Sequence, residues 1–351
     1  MQALLDTIAT LPRPTEACRV FHGRGGLHAG CEQWVLDAYL PVLVLTSFAP
    51  AADEALATNG AALAQRWAQI ALPGDGPLCW VFQQRGGAQR LEGRSDTRLM
   101  AGVVPQPHVV TEGGARYLVN VLKGQNQGLF LDMAAGRQRV AELVAQQAAA
   151  PALAVSPGVS LGHGARVLNL FAYTCAFSVV ALRAGAARVV NVDMSRGALA
   201  TGQQNHRLNG VGNGPNGVAA FWAHDIFSSW GKIGRAGPYD LVVADPPSYQ
   251  KGSFVATKDY GRLLRRLPDL LAPGGHALLC LNAPELPPEF LLEQAARHAP
   301  GLRWVERVPN PPAFADVDEA RSLKVMVWAA GLSGCPPPPV DPASGSLNRS
   351  P

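Results

Sequence analysis

From residue 165 onward the chain alternates short apolar runs with stretches whose apolar residues recur every three to four positions. That pattern predicts parallel strands joined by crossover helices, the plan of a doubly wound α/β sheet. The first strand falls on Arg166–Phe171, followed by a helix over Cys175–Ala184 that Gly185 stops. Val189–Val192 is the second strand and ends at Asp193. Ser195 then caps a helix reaching about Asn209, before Gly210. Gly217–Trp222 gives the third strand, with His224 and Asp225 at its end, and Tyr239–Val243 the fourth, which runs into Asp245. A basic helix over Asp259–Leu271 is broken by Pro273-Gly274-Gly275 before a fifth strand at His276–Leu281. A helix over Glu289–His298 and two last strands, Arg303–Val308 and Ser322–Ala329, complete the set.

The N-terminal part is patterned differently. Trp34–Phe48 contains the strand-like run Pro41–Leu45, Ala51–Gln69 reads as a helix, and Leu78–Gln83 as another strand. Arg116–Asn120 and Gly128–Leu131, separated by a Gly-rich turn, predict a hairpin. Asp132–Ala148, rich in Ala and Gln, predicts a connecting helix. The chain thus divides into a small α/β or β-rich domain over 1–105, with a possible RNA- or substrate-binding role, and a hairpin and connecting helix over 106–150. The large α/β domain spans 151–332, and 333–351 is a Pro-rich tail too poor in apolar residues to fold.

With 48% hydrophobic and 16% charged residues, the chain has ample material for a core. A formal net charge of +4 permits a nucleic-acid partner without demanding one. Cys18, Cys31, Cys79, Cys175, Cys280 and Cys335 are widely spaced, with no CxxC and no metal-ligand pattern. They predict free thiols in a reducing compartment. Met1–Ala9 lacks the basic start and long apolar run of a secretory leader, and no segment offers the ~20 uninterrupted apolar residues of a membrane span. A soluble cytoplasmic protein is the expectation.

In an open parallel sheet, ligands bind outside the carboxyl ends of the strands, and four features collect there. The loop Phe171–Ser178 is built mostly of small residues ahead of a helix start, so its backbone N–H groups can approach a ligand. It has neither the GxGxxG spacing of a dinucleotide site nor the lysine of a P-loop. Asp193, one βα unit further on, can accept hydrogen bonds from the hydroxyls of a ribose, although an acid at a helix start also suits the helix dipole. Asp225 can meet an adenine amino group or sit in a surface turn. Asp245-Pro246-Pro247-Ser248-Tyr249 sets a carboxylate before a stiff turn: both prolines have fixed φ and no N–H, so the loop keeps its shape and its carbonyls stay free as acceptors.

With these motifs the chain resembles the class I S-adenosylmethionine-dependent methyltransferases, and within them the ribosomal RNA large-subunit methyltransferases of the I and K types. The resemblance rests on Gly124–Asp132, Val167–Thr174, Asn191–Ser195, Asp245–Tyr249, Lys258-Asp259-Tyr260 and Pro273-Gly274-Gly275, and extends from about Thr111 to Ala330. It implies a seven-stranded, Rossmann-like sheet beside the smaller N-terminal domain, S-adenosyl-L-methionine as cofactor and ribosomal RNA as partner. Phe171, Tyr173 and Thr174 are implied at the cofactor's methionine end, Asp193 at its ribose and Asp225 at its adenine, with Asn169 as a further cofactor contact. Phe130 and Asp132 cover it from the hairpin, and Asp245 adjoins it. Arg137 and Arg139 follow the hairpin, placed either for a cofactor carboxylate or RNA phosphate or as solvated helix residues. One departure is Cys175-Ala176, where a glycine pair is common after Thr174; Cβ atoms there narrow the backbone's approach to the donor. That departure keeps open a non-catalytic RNA-binding factor, and the mild charge keeps open a small-molecule or protein acceptor on the same fold.

Methyl transfer from a sulfonium is an in-line displacement, so positioning of the nucleophile dominates catalysis. Pyrimidine C5 becomes nucleophilic only after a cysteine thiolate adds at C6. The chain reads Leu281-Asn282-Ala283-Pro284 after the fifth strand, and Cys280 lies within the strand, so cytosine C5 is disfavoured. Guanine N7 carries an exposed lone pair and needs no base. An exocyclic amine needs acceptors, which Asp245 and the Pro246 carbonyl supply. Asn282 resembles the asparagine of the K type and favours N7. Asp245, Pro246, Pro247 and Tyr249 form the expected catalytic group, with Tyr249 stacking on a flipped base. Ser248, Tyr249, Lys251, Lys258, Arg262 and Asn282 are the expected substrate contacts. Lys251, Lys258, Arg262, Arg265 and Arg266 make a basic cluster suited to phosphates, though Arg262 and Arg266 also fit a solvated helix face.

Overall fold

In the structure, a computed structural model that describes residues 1–86, 96–123, 126–149, 164–214, 217–247, 249–250 and 254–331, two large sheets carry the chain. The first holds β1 (Cys18–His22), β2 (Trp34–Tyr39), β3 (Val42–Ser47), β4 (Cys79–Gln84) and β5 (Asp96–Ala101) in sequential order. β3 and β4 are parallel, joined through the helix Asp53–Ile70, and the other pairs are antiparallel. Every residue of β2 and β3 is buried, which is why they read as nearly unbroken apolar runs. Leu56 and Leu63 form the inward face of the helix and, with Leu4 and Ile8 of the N-terminal helix Gln2–Thr10, enclose Leu36, Leu43 and Phe82. That first helix, β1 and β5 were not evident from the hydrophobic pattern.

The hairpin lies elsewhere than its pattern predicts. β6 (Val109–Glu112) pairs with β7 (Ala115–Leu118), whereas Gly128–Phe130 is loop and Leu131–Met133 a 3-10 turn leading into the helix Ala134–Ala149. Gly113 and Gly114, at φ 56° and 68°, supply the two left-handed residues that a two-residue hairpin turn requires.

The second sheet contains β8 (Arg166–Leu170), β9 (Arg188–Asp193), the two-residue β10 (Asn213–Gly214), β11 (Gly217–Ala223) and β12 (Tyr239–Ala244). A small ribbon of β13 (Tyr249–Gln250) and β14 (Phe254–Val255) follows, and then β15 (Leu271–Leu281), β16 (Leu302–Val308) and β17 (Lys324–Ala330) complete the sheet. The order is β10-β11-β9-β8-β12-β15-β17-β16. β11, β9, β8, β12 and β15 are parallel, and β17 inserts antiparallel between β15 and β16. Seven strands thus carry the sheet, with β10 as a short edge. The chain reverses its direction of winding between β8 and β12, the kind of crevice where such sheets bind ligands.

One predicted boundary is corrected. The basic helix runs over Ala256–Leu264 and gives way to a separate four-residue helix, Leu267–Leu270, because Pro268 suits the first turn of a helix and not its interior. Pro273-Gly274-Gly275 lies inside β15, where the register with β12 slips, rather than between helix and strand. Tyr260, Leu263 and Leu291 pack on one face of the sheet, and Val140, Leu143 and Phe177 on the other. A third core joins the two sheets through Tyr39, Val42, Val81, Tyr117, Leu129 and Val179. Among the described residues no helix is long and apolar enough to cross a membrane. The predicted tail, 333–351, lies outside the described residues.

Candidate active site

The residues that follow β8, β9, β11, β12 and β15 line one cavity of about 590 Å³. Its floor is the turn after β8. Phe171, Tyr173 and Cys175 take φ of 57°, 46° and 61°, the left-handed region that residues with a Cβ seldom occupy. Each such residue costs about 1 kcal/mol or more, and strain of this kind persists where the surroundings over-determine it. Here Asp193 Oδ2 accepts the Tyr173 N–H at 2.8 Å, Asn205 Nδ2 donates to the Thr174 carbonyl at 3.0 Å, and Thr174 Oγ1 donates to the Gly128 carbonyl at 2.6 Å. Cys175 is buried against Gly202, and burial pushes its thiol up. It does not line the cavity; Ala176 does. Of the pair Cys175-Ala176, only Ala176 therefore adds a Cβ to the wall.

Three carboxylates from strand ends meet this floor. Asp193 closes β9, and its oxygens accept one backbone N–H each, from Tyr173 and from Ser195 at 2.7 Å. It has no ion-pair partner among the described residues, so each oxygen keeps a lone pair for a hydroxyl donor. Ser195 Oγ in turn caps the helix Arg196–Leu208 by accepting the Ala198 N–H. Asp225, exposed beyond β11, accepts the Phe227 N–H at 2.9 Å, and Phe227 itself joins the wall. Asp245 follows β12 with Pro246 and Pro247 beside it. Burial, and next the charge of Asp132, raise its carboxyl to about 7 against the pull of Arg137.

The roof comes from the 126–133 loop. Phe130 is 40% exposed with its ring 5.4 Å from that of Tyr173, an apolar pair left open at the cavity. Asp132 lines the same wall, and burial raises its carboxyl while Arg19 and Arg137 draw it down. Arg137 is buried and forks onto Glu112 at 2.6 and 2.7 Å; the same guanidinium donates to the Phe130 carbonyl at 2.7 Å. Tyr39 of the first sheet donates to the Leu129 carbonyl. At the far end, Asn282 extends the wall just beyond β15.

A family model for S-adenosylmethionine-dependent methyltransferases matches residues 18–329. The chain belongs to the S-adenosylmethionine-dependent methyltransferase family. Among its relatives, the ribosomal RNA large subunit methyltransferase I of Aeromonas hydrophila is 30% identical over 270 residues, 72% of this chain and 62% of that protein. The ribosomal RNA large subunit methyltransferase K/L of Psychrobacter sp. is 34% identical over 199 residues, 55% of this chain and 22% of that protein. The chain therefore spans less than two thirds of the length of either. A SAM-dependent methyltransferase structure from Streptococcus mutans superposes with a TM-score of 0.71 at 21% identity, covering 94% of this chain and 81% of that one. That likeness establishes the class I methyltransferase fold.

S-adenosylmethionine is the cofactor of this family, and the wall fits it: carboxylates with spare lone pairs at three strand ends and an open aromatic pair. Of the residues picked out from the sequence of this methyltransferase, Phe130, Asp132, Phe171, Tyr173, Thr174, Asp193, Asp225, Asp245, Pro246, Pro247 and Asn282 share the cavity. Asn169 does not. It is buried within the sheet, where its Nδ2 donates to Asn191 Oδ1 at 2.9 Å, because alternate residues of β8 face opposite sides. Lys258 and Arg262 also stand off the wall. Lys258 is exposed on the helix Ala256–Leu264, and Arg262 pairs with Asp259 at 2.8 Å and lies 4.2 Å from the Phe227 ring centroid. Tyr249 stands in β13 opposite Val255; Ser248 and Lys251 lie outside the described residues. Arg139 turns away to Glu306 and Glu142. Arg137, by contrast, is no solvated helix residue but part of the wall. Phe227 was missed, although its place two residues after Asp225 was the available signal.

Proposed function

We propose that the chain methylates a guanine nitrogen, N7 in the first place, of large-subunit ribosomal RNA. The RNA assignment draws on its relatives' substrates. The nitrogen assignment is carried by one observation, the lack of a usable thiol on the acceptor wall among the described residues. Cys280 is wholly buried in β15, and burial, followed by the charges of Asp245 and Asp132, pushes its thiol far up. No thiolate is then available to activate a pyrimidine ring. S-adenosylmethionine supplies the electrophilic methyl. In this reading Asp193 accepts from the ribose hydroxyls, Asp225 and Phe227 hold the adenine, and Phe130 and Tyr173 shield the methionine end. Pro246 and Pro247 keep the acceptor side rigid. Guanine presents N7 and O6 together as acceptors on one edge; the Asn282 amide donates to O6 and so aims N7 at the methyl carbon. Tyr249 serves as the stacking partner.

Nucleoside mass spectrometry of large-subunit ribosomal RNA from a strain lacking the gene tests this. Loss of 7-methylguanosine, restored by the wild-type chain, is the expected result. Loss of N2-methylguanosine would move the assignment to the exocyclic amine. Loss of 5-methylcytidine, or no loss, would refute it.

A further inference from the structure

Lys324 opens β17 with none of its surface exposed. It enters no ion pair among the described residues, and its ammonium donates to the Ala283 carbonyl at 2.8 Å. An ammonium carries three donors, and burying one without a counter-ion is costly. Burial, and after it Arg307, lower its pKa to about 8, against the opposing charges of Glu285 and Asp318. Such a group adds little to stability; its effect is to fix whatever accepts from it. The acceptor here is specific. The Ala283 carbonyl also receives the Leu286 N–H at 3.1 Å, so one oxygen ties the turn 283–286 both to itself and to β17. Asn282 sits between that residue and Leu281, the register partner of Lys324, and lines the cavity.

We propose that Lys324 is a positioning residue for methyl transfer: through the Ala283 carbonyl it fixes the turn that presents Asn282 to the acceptor. This inference rests on the reading of Asn282 as an acceptor-side group. Lys324→Met keeps the length of the side chain and removes the donors; Lys324→Gln is shorter but keeps a donor. Hydrogen exchange on the purified full chain is expected to lose about tenfold or more of its protection in the 282–286 segment of Lys324→Met, the scale of a charge-assisted hydrogen bond. Lys324→Gln should recover part of that protection. Calorimetric affinity for S-adenosylmethionine should stay within about twofold of wild type. Methyl transfer to total RNA from the deletion strain should fall at least tenfold in kcat, with no further loss when Asn282→Ala is added. Unchanged exchange at 282–286, or a matching loss of cofactor affinity, would overturn the proposal, as would failure of both variants to fold. If the wild-type chain methylates no RNA, the RNA reading fails while the exchange data still decide the role of Lys324.

Discussion

Asp245 and Asp132 place two carboxyls on the wall of one cavity, and the proximity of like charges, on top of burial, keeps Asp245 partly protonated near neutrality. S-adenosylmethionine carries a sulfonium charge that its demethylated product lacks. As pH climbs through about 7, Asp245 ionises and its charge favours the cationic donor. Calorimetry should therefore show affinity for S-adenosylmethionine rising between pH 6 and pH 8, with little change for S-adenosylhomocysteine. In Asp245→Asn the rise should flatten. Stability moves the other way. The folded carboxyl is raised above its unfolded value, so its favourable contribution is complete at pH below about 4 and is lost as pH rises through about 7. Asp245→Asn should thus melt higher than wild type at pH 8 and no higher at pH 4. At Asp193 the prediction is simpler. Asp193→Ala deletes the acceptor proposed for two ribose hydroxyls, together with the acceptor of the Ser195 N–H and of the Tyr173 N–H in the strained turn. Cofactor affinity should drop about 150-fold or more, two charge-assisted hydrogen bonds' worth, and an unaltered dissociation constant would contradict the ribose role.

The elements that carry the carboxylates were legible because a parallel strand buried on both faces writes a short apolar run, and each run ends at the residue that matters. Asp193 and Asp245 can be placed that way; β11 is only half-buried, and Asp225 is placed by the turn that follows its apolar residues. Asn169 could not, because a run with both faces buried carries no alternation to show which side a residue faces; β8 turns it into the sheet. The hairpin failed for another reason. Gly113-Gly114 is the stronger turn signal, but the Gly-rich stretch after Lys123 competes with it, and only the φ values of the pair decide the register. The roof loop was illegible as a structure because its shape is set by distant partners: Thr174 on Gly128, Tyr39 on Leu129 and Arg137 on Phe130. Those partners make it testable. Tyr39→Phe leaves the Leu129 carbonyl without that donor, at a cost of about 1 kcal/mol. Affinity for S-adenosylmethionine should weaken a few-fold, and proteolysis within 126–133 should quicken in the absence of cofactor. Equal rates in mutant and wild type would show that the loop holds its form without the first sheet.

At the scale of the molecule, the first sheet is tied into the methyltransferase core. Tyr39, Val42 and Val81 pack with Tyr117 of the hairpin, with Leu129 and Leu131 beside the cavity, and with Val179 on the helix that follows the strained turn. Buried apolar contact of this extent couples the unfolding of the two sheets, whereas a tethered RNA-binding module would unfold on its own. Val81→Ala, remote from the cavity wall in β4, removes two buried methyl groups and should cost about 2 kcal/mol. In a two-sheet cooperative unit that cost lowers a single calorimetric transition by a few degrees, and saturating S-adenosylmethionine raises the same transition in mutant and wild type alike. Two resolved transitions, with the mutation moving one and the cofactor moving only the other, would show that the sheets unfold independently and that the roof is held by the second sheet alone.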